Sequence, residues 1–222
     1  ILGGWKVRWG IKRMNYRVDP GLYAAGHPDE NSPVLVTANY KLTFDTLRKE
    51  LTGIDCWLIV LDTKGVNVWC AAGKGTFGTA ELVQKIFHTG ISRIVKHKRL
   101  ILPQLGAVGV SAPDVAKLTG FRVIFGPVRA EDIPQFLKNG CRKDERMRTV
   151  FFPLSERMAV APIELVQSFK YLPWLFVVVG VFSILETRAV TVGILSSFVP
   201  FLAAVLAGTI VFPALLPILP FR

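Results

Sequence analysis

The pattern of apolar positions changes repeatedly between two periods from residue 33 to residue 141. Short apolar runs typical of buried strands alternate with stretches in which apolar residues recur every three or four positions. Alternating strands and helices predict a parallel sheet with crossover helices, and therefore an α/β fold. The predicted strands are 34–38, 56–61, 99–102 and 121–125, and the predicted helices are 42–51, 80–90, 111–119 and 130–138.

The flanking sequence does not continue this pattern. Residues 1–33 contain glycine, proline and aromatic residues without a sustained period, which predicts an irregular N-terminal arm packed on the α/β domain of residues 34–141. Residues 142–170 are charged and have a helical pattern, as expected of a linker, and residues 171–222 are predicted to form a membrane region. Since the chain starts at Ile1 without a methionine and stops after a proline-rich apolar stretch, we interpret it as a fragment.

The C-terminal region is apolar enough to cross a membrane. The 33 residues Ala189–Phe221 include no Asp, Glu, Lys, Arg, His, Asn or Gln, whereas a spanning helix needs roughly 20 apolar residues. About two spans are predicted, one over 171–185 extended back to 165 and one over 189–212. Basic residues precede the first span, which predicts a cytoplasmic-membrane protein with its soluble domain on the cytoplasmic side. This pattern argues against a purely cytosolic globule.

The charge lies almost entirely before the apolar region. Of 27 Lys and Arg residues, 25 lie in residues 1–171, as do 15 of 16 acidic residues, and the net charge of the chain is +11. Next to predicted spans, such a charge favours contact with anionic membrane lipid. No basic run is interleaved with aromatic residues at a known motif spacing, so we expect no nucleic-acid partner.

The cysteines do not form a metal or disulfide pattern. Cys56, Cys70 and Cys141 make no CxxC pair and no even-numbered framework, which argues against an iron–sulfur cluster in this chain, a zinc ribbon and a secreted disulfide scaffold. Three unpaired cysteines fit a reducing compartment. Cys56 is predicted to pack in the core and Cys141 to be at least partly exposed. The histidines, 27, 88 and 97, have no context that indicates chemistry.

The segment Lys64–Thr76 is the first place to look for chemistry, because it follows a predicted buried strand. Ligands of parallel sheets bind beyond the carboxyl ends of the strands. Small residues let the backbone come close to a large ligand. A phosphate-binding loop would need glycine at position 68 and Ser or Thr at position 75, but the residues there are Val68 and Gly75. The residues therefore predict a binding loop that carries one thiol.

Residue types alone leave three interpretations of Cys70 open. A free cysteine is often a small buried apolar residue. A nucleophilic cysteine would want a histidine partner, and no histidine has a suitable context. A thiolate bound to a metal is favoured by a nearby lysine and a helix start, both of which lower the pKa of a thiol.

The segment NVWCAAGK, from Asn67 to Lys74, resembles the motif N-(V/I)-W-C-A-(A/S)-G-K of the mercury-methylation corrinoid proteins. The resemblance continues through residues 31–42 and 126–128, and includes the order of a soluble domain followed by membrane spans. The soluble half also resembles the corrinoid-binding domain of the corrinoid iron–sulfur protein of acetyl-CoA synthesis. The mercury-methylation family carries about five spans, whereas this chain has about two.

The resemblance implies a Rossmann-like domain that binds a cobalamin-type corrinoid, with the Cys70 thiolate as the lower axial ligand of cobalt in a short helix. It implies a methyltransferase that passes a methyl group from cobalt to Hg(II). Such a thiolate is a strong electron donor that would weaken the cobalt–carbon bond. The cofactor contacts that we expect on this basis are Asn67, Val68, Trp69, Cys70, Ala71, Ala72, Gly73 and Lys74, with Thr37, Asn39, Gly106 and Val108 around them.

The resemblance also implies partners. The reductant would be a small ferredoxin-like protein with two 4Fe–4S clusters, which is also a candidate donor of Hg(II), and the methyl donor a folate-pathway methyltransferase. The rival interpretations are a corrinoid methyl carrier between folate and another acceptor, a membrane-tethered binding or sensor module, and a nucleotide-binding domain.

Overall fold

The computed structural model describes residues 6–7, 9–10, 15–187 and 190–219, which fall into two compact units. The larger unit comprises residues 14–150 and the second comprises residues 151–222 with the residues before 14. The five strands of the larger unit are β1 (Gly21–Ala25), β2 (Val34–Ala38), β3 (Cys56–Leu61), β4 (Arg99–Leu102) and β5 (Arg122–Phe125). Its α-helices are α1 (Lys41–Glu50), α2 (Val68–Gly73), α3 (Thr79–Thr89), α4 (Ile91–Ile94), α5 (Ala112–Thr119) and α6 (Ile133–Lys138).

The strands form one mixed sheet in the order β1-β3-β2-β4-β5. Strands β3, β2, β4 and β5 are parallel, and β1 pairs with β3 in the antiparallel direction at the edge. The α/β architecture predicted from the sequence is confirmed and fits a Rossmann-like fold. Four of the five strands are parallel, as predicted, and the fifth, β1, is the antiparallel edge strand.

The two faces of the sheet carry separate cores, because side chains alternate along each strand. On one face, Val34 and Val36 of β2 pack with α3 and α5. On the other face, Leu35 packs with α1 and with Phe136 of α6. The buried β3 predicted from its continuous apolar run is therefore covered on both sides.

Helix ends follow the signals in the sequence. The Ser111 hydroxyl accepts a hydrogen bond from the Asp114 N–H at the start of α5, and Gly120 ends the helix with φ +75°. Gly90, at φ +63°, likewise ends α3. Each of these positive φ angles is cheap for glycine, which has no Cβ.

Three predicted boundaries differ from the structure. The arm predicted to be irregular over 1–33 contributes β1, which the sequence GLYAA conceals because it is not rich in β-branched residues. The helix predicted over 130–138 begins as a 3₁₀ turn at Ala130–Asp132 and becomes α-helical at Ile133. The predicted helical linker is irregular up to Pro153 apart from a 3₁₀ turn at Arg146–Arg148.

The second unit is helical. It contains α7 (Leu154–Phe169), α8 (Leu172–Thr187), α9 (Val190–Leu206), a π-helical turn (Ala207–Val211) and α10 (Phe212–Leu215). Within this unit the Arg157 guanidinium donates hydrogen bonds to the carbonyl oxygens of Pro213 and Ala214, at 3.2 and 3.1 Å.

One helical stretch of this unit, Phe198–Leu215, has the length and apolar composition of a membrane span. A second candidate consists of α7 and the first part of α8, which meet at a 48° bend. Length and composition alone do not establish a span, since a core helix of a soluble protein can pass the same test. The predicted start of the second span at Ala189 lies outside the described residues.

Candidate functional site

The strand order creates a crevice at the carboxyl ends of β2 and β4. From β2 the chain passes through α1 to β3 on one side, and it later crosses back to β4 on the other side of β2. The connections that follow these two neighbouring strands therefore leave in opposite directions. Ligands of open α/β sheets bind at such a switch point.

A cavity of about 410 Å³ occupies this crevice. Its walls are mostly apolar and come from the ends of β2 and β4, the segment after β5, the first turns of α1 and α6, and the start of α2. The lining residues are Leu35, Val36, Thr37, Leu42, Thr43, Thr46, Leu47, Asn67, Val68, Trp69, Ile101, Leu102, Pro103, Leu105, Gly126, Pro127, Val128, Arg129, Ala130 and Ile133.

The three sequence segments that carry the resemblance meet at this cavity. Segment 31–42 contributes Thr37, segment 67–74 contributes Trp69, and segment 126–128 contributes its glycine, proline and valine. They are far apart in the sequence, and the sheet brings them together because each follows or ends a parallel strand.

Helix α2 presents the thiol at the edge of the crevice. The Asn67 side chain caps the helix by accepting a hydrogen bond from the Cys70 N–H, at 3.0 Å. Ala71 and Ala72 are buried against the core, whereas Cys70 is exposed. Trp69 is 67% exposed although it also lines the cavity. The helix is thus fixed on one side and offers an indole and a thiol on the other.

On the face of α2 that carries the Cys70 thiol, Gly73 leaves the helix surface without a side chain. Cys70 and Gly73 lie three residues apart, which places them on the same face of a helix. A Cβ at Gly73 would meet nothing within 4 Å, so packing within this protein does not require glycine there. Lys74 follows as the exposed C-cap of the helix. A broad, flat group can therefore approach the Cys70 sulfur closely.

Asn39 is buried behind the loop that leads to α2. Its Oδ1 accepts hydrogen bonds from Thr63 N–H at 3.1 Å, from the Thr63 hydroxyl at 2.8 Å and from Gly65 N–H at 2.9 Å. Its Nδ2 donates to Asp62 Oδ1 at 3.1 Å. Asn39, a predicted cofactor contact, is buried in the structure, and its side chain holds this loop.

The loop that Asn39 holds is strained. Lys64 adopts φ +57° without being glycine, and Gly65 follows at φ +74°. A non-glycine residue in this region costs energy and persists only where its surroundings fix it. The Lys64 ammonium also pairs with the Asp62 carboxylate. Although burial alone would raise the pKa of Asp62, hydrogen bonds from Lys64 and Asn39 and the Lys64 charge hold this pKa below its ordinary value.

Among the predicted contacts, the cavity is lined by Thr37, Asn67, Val68 and Trp69, and its lining residues do not include Asn39, Cys70, Ala71, Ala72, Gly73, Lys74, Gly106 or Val108. Gly106 is buried against Phe77, whose ring would lie 2.6 Å from a Cβ at that position. Val108 is exposed and is not among the lining residues. Thr43 and Thr46 face the cavity from α1, although they were not among the predicted contacts. Their spacing of three, offset from the buried Phe44 and Leu47, was the available signal.

The remaining cysteines lie elsewhere. Cys56 is buried in β3, and burial raises its pKa from the usual 9.0 to about 11. Cys141 is half-buried. The predictions of a core thiol and a partly exposed thiol are confirmed. Across residues 15–187 and 190–219, His, Cys, Asp and Glu side chains form no group of three suited to a metal ion.

Comparison with known proteins identifies the larger unit. Residues 11–137 match the family described as "CO dehydrogenase/acetyl-CoA synthase delta subunit". The chain belongs to this family. The match confirms the predicted relation to proteins of acetyl-CoA synthesis, and it covers every residue of the crevice.

Several curated relatives carry the name "Acetyl-CoA decarbonylase/synthase complex subunit gamma". The relative from Methanopyrus kandleri is 41% identical over 129 residues, which is 57% of this chain and 27% of the relative. The relative from Methanocaldococcus jannaschii is 38% identical over 133 residues, 59% of this chain and 27% of the relative. The chain thus spans about a quarter of the length of these relatives. Neither name refers to mercury, so the mercury interpretation depends on the motif from Asn67 to Lys74.

Proposed function

We propose that the larger unit binds a cobalamin-type corrinoid, with the Cys70 thiolate as lower axial ligand of cobalt, and that the protein transfers a methyl group to Hg(II). The observation that carries this proposal is the exposed thiol on a short helix at the switch point of the sheet. The residues around it belong to the segments that resemble the mercury-methylation family.

The chemistry of the site fits a corrinoid. The Cys70 side chain on α2 offers a soft sulfur donor, which suits a transition metal whose ring ligands come from a macrocycle. The exposed Trp69 indole offers an apolar surface for a large ring. The mostly apolar cavity beside it offers room for part of such a ligand.

The chain's own residues have distinct tasks in this proposal. Cys70 binds cobalt, Asn67 fixes the helix turn that carries Cys70, and Asn39 fixes the loop that leads to that turn. A bound corrinoid supplies a cobalt atom that accepts a methyl group and gives it up again. Electron donation from the Cys70 sulfur would favour the departure of that methyl group. A second layer that orients a metal ligand commonly affects affinity and activity.

The proposed acceptor is Hg(II), and other proteins supply the remaining needs. The reductant is a small ferredoxin-like protein with two 4Fe–4S clusters, which also serves as a candidate Hg(II) donor. The methyl group comes from a folate-pathway methyltransferase. These partners rest on the motif's resemblance and are part of the proposal.

A second candidate function is a corrinoid methyl carrier between folate and another acceptor. It is favoured by the curated relatives, whose names place them in an acetyl-CoA decarbonylase/synthase complex. Both candidates use Cys70 in the same way and differ in the acceptor alone.

The test is a methyl-transfer assay on the full chain loaded with methylcobalamin. The protein is incubated without oxygen with a thiol complex of Hg(II), and methylmercury is measured against the same amount of free methylcobalamin. The proposal predicts a rate well above the free cofactor, with Cys141→Ala matching the wild type. A protein that leaves Hg(II) unmethylated but passes its methyl group to tetrahydrofolate would be the methyl carrier instead.

We also propose that the helices of the second unit anchor the protein in the cytoplasmic membrane, with the α/β unit on the cytoplasmic side and its basic residues near anionic lipid. The support is the exposed apolar surface, since only 6% of the stretch Phe198–Leu215 is buried. The test is extraction of cell membranes at alkaline pH. A protein that stays in the membrane pellet supports the anchor, and one that is released contradicts it.

A further inference from the structure

A second cavity lies at the opposite, amino-terminal end of the sheet. It has a volume of about 490 Å³ and mostly apolar walls. Ile101 and Ile124 form its floor on the sheet, and Pro134 and Leu137 of α6 cover it. Ile101 also lines the first cavity.

Two arginines stand side by side at this end of the sheet. Arg99 begins β4 and Arg122 begins β5, and the two are register partners on adjacent parallel strands. Arg99 and Ile101 share one face of β4, and Arg122 and Ile124 share the same face of β5, because residues two apart point the same way. Arg99 lines the cavity, whereas Arg122 lies beside Arg99 on β5 and outside the lining residues.

This arrangement concentrates positive charge at one end of the sheet. Like charges on neighbouring strands repel, and water screens this repulsion where the groups are exposed. Both arginines are exposed, and neither forms an ion pair with any acidic side chain in the part of the chain that the structure describes. Lys138 adds a third cation at the cavity wall. The nearby Glu30 is already paired with Lys96.

Both ring nitrogens of the neighbouring His97 form hydrogen bonds within the protein, so His97 does not serve to bind an anion. The Arg99 N–H donates to His97 Nδ1 at 3.3 Å, so that nitrogen is an acceptor. Nε2 then carries the hydrogen and donates to the Ser32 carbonyl oxygen at 2.8 Å. His97 is thus held as part of the wall, and the arginines and Lys138 supply the positive charge.

We infer that this second cavity binds a small organic anion, with its carboxylate or phosphate on Arg99 and Arg122 and its apolar body between the sheet and α6. Arginine suits this role because its planar fork of donors matches the geometry of both oxyanions. The site is separate from the crevice at Cys70, and it stands whether or not the proposed methyl transfer is correct.

Cys141 provides the readout, because its thiol lies in the wall of this cavity. The experiment follows alkylation by iodoacetamide in the full chain, with the modification of each cysteine measured by peptide mass spectrometry. The probes are phenyl phosphate, 4-phenylbutyrate, the uncharged 4-phenylbutanol and inorganic phosphate. Cys70 at the other end of the sheet serves as the unprotected internal control, and the buried Cys56 stays unmodified as long as the fold is intact.

The proposal predicts that phenyl phosphate or 4-phenylbutyrate slows alkylation of Cys141 about tenfold when present at roughly ten times its dissociation constant, by mass action. Whichever anion protects better identifies the class as a phosphate ester or a carboxylate. Inorganic phosphate lacks the apolar body and 4-phenylbutanol lacks the negative charge. Both therefore protect Cys141 from alkylation much less. Arg99→Gln and Arg122→Gln each raise by roughly tenfold the anion concentration that gives the same protection of Cys141, as expected for loss of a charged hydrogen bond.

The matched control is Arg93→Gln, which removes an exposed arginine on α4 and leaves protection unchanged. The inference is overturned if neither anion protects Cys141, if the alcohol protects as well as the anions, or if the Arg99 and Arg122 variants behave like the Arg93 variant. Modification of Cys56 in a variant would show loss of fold. In that event the variants Arg99→Lys and Arg122→Lys are used instead, since lysine keeps the charge but lacks the planar fork of donors of arginine. If the anions protect Cys141 in both lysine variants as well as in the wild type, the inference is overturned.

Discussion

The two ends of the sheet each combine a cavity with a cysteine, and they differ in how the thiol is presented. At the carboxyl end, Cys70 is exposed on a helix face that Gly73 leaves bare. At the amino end, the half-buried Cys141 forms part of a cavity wall, where burial raises the pKa of its thiol and the Arg99 charge offsets part of the rise. The comparison shows that two thiols of one domain differ in exposure and in the surface beside them, and the proposed metal ligand is the exposed one.

The largest expected effect comes from removing the thiol at the carboxyl end. Cys70→Ala should lower methyl transfer by more than about 100-fold, since loss of a residue that merely orients a metal ligand already costs roughly 10- to 100-fold. The free energy of unfolding should change little, because the side chain is exposed. Methylmercury formation and urea denaturation measure the two quantities. Cys141→Ala is the matched variant at the other end, and equal losses in both variants would erase the distinction between them.

The next effect comes from Asn39, which supports the carboxyl end from behind. Asn39→Ala leaves the buried Gly65 N–H without its acceptor, which costs about 1–3 kcal/mol, whereas the Thr63 N–H keeps its hydrogen bond to the Leu61 carbonyl oxygen. We expect the free energy of unfolding to fall by about 1–3 kcal/mol and corrinoid affinity by roughly tenfold. Asn139→Ala, at an exposed position with one side-chain hydrogen bond, should change stability by less than about 0.5 kcal/mol. Similar effects of the two variants would mean that Asn39 does not hold the loop.

A smaller effect is expected from Cys56, in the strand between the two ends. Cys56→Ala should cost about 1 kcal/mol of stability at neutral pH and leave methyl transfer unchanged. In the wild type, burial raises the pKa of the Cys56 thiol from the usual 9.0 to about 11, so the folded state keeps this proton to a higher pH than the unfolded state does. This contribution to stability is present below pH 9 and is lost as the pH rises towards 11. The free energy of unfolding, measured by urea denaturation at several pH values, should therefore fall more steeply between pH 9 and pH 11 in the wild type than in Cys56→Ala. Equal slopes in the two proteins would contradict the raised pKa of Cys56.

The smallest effect concerns the relative reactivity of the thiols. In the absence of ligand, iodoacetamide should modify Cys70 first, Cys141 more slowly and Cys56 last, following exposure. The rate at Cys141 should keep rising at alkaline pH, because burial raises its pKa. Time courses by peptide mass spectrometry give the order, and a Cys141 that reacts before Cys70 would reverse the comparison.

Much of the α/β unit could be predicted from the sequence, because buried parallel strands and amphipathic helices have distinct periods. The bounds of β2, β3 and β4 agree with their apolar runs, and Ser111, Gly90 and Gly120 mark helix ends where expected. Strand β1 escaped detection because its sequence GLYAA contains no β-branched residue and an edge strand needs no continuous apolar run. Its pairing with β3 depends on tertiary structure.

The site was predictable in part. The thiol on α2 and Thr37 at the cavity follow from one motif and from the end of a strand. The role of Asn39 in holding the Lys64 turn could not be predicted, since it depends on hydrogen bonds between residues 24 and 26 positions apart. The pairing of Arg99 with Arg122 likewise depends on strand register, which the sequence does not display.

The most direct test of the central claim is the visible absorption spectrum of the full chain reconstituted with cobalamin, compared between the wild type and Cys70→Ala. If the Cys70 sulfur binds cobalt, the wild type retains the cofactor and its spectrum shifts when the thiol is removed. If both proteins give the same spectrum, or if neither retains cobalamin, Cys70 is not the cobalt ligand.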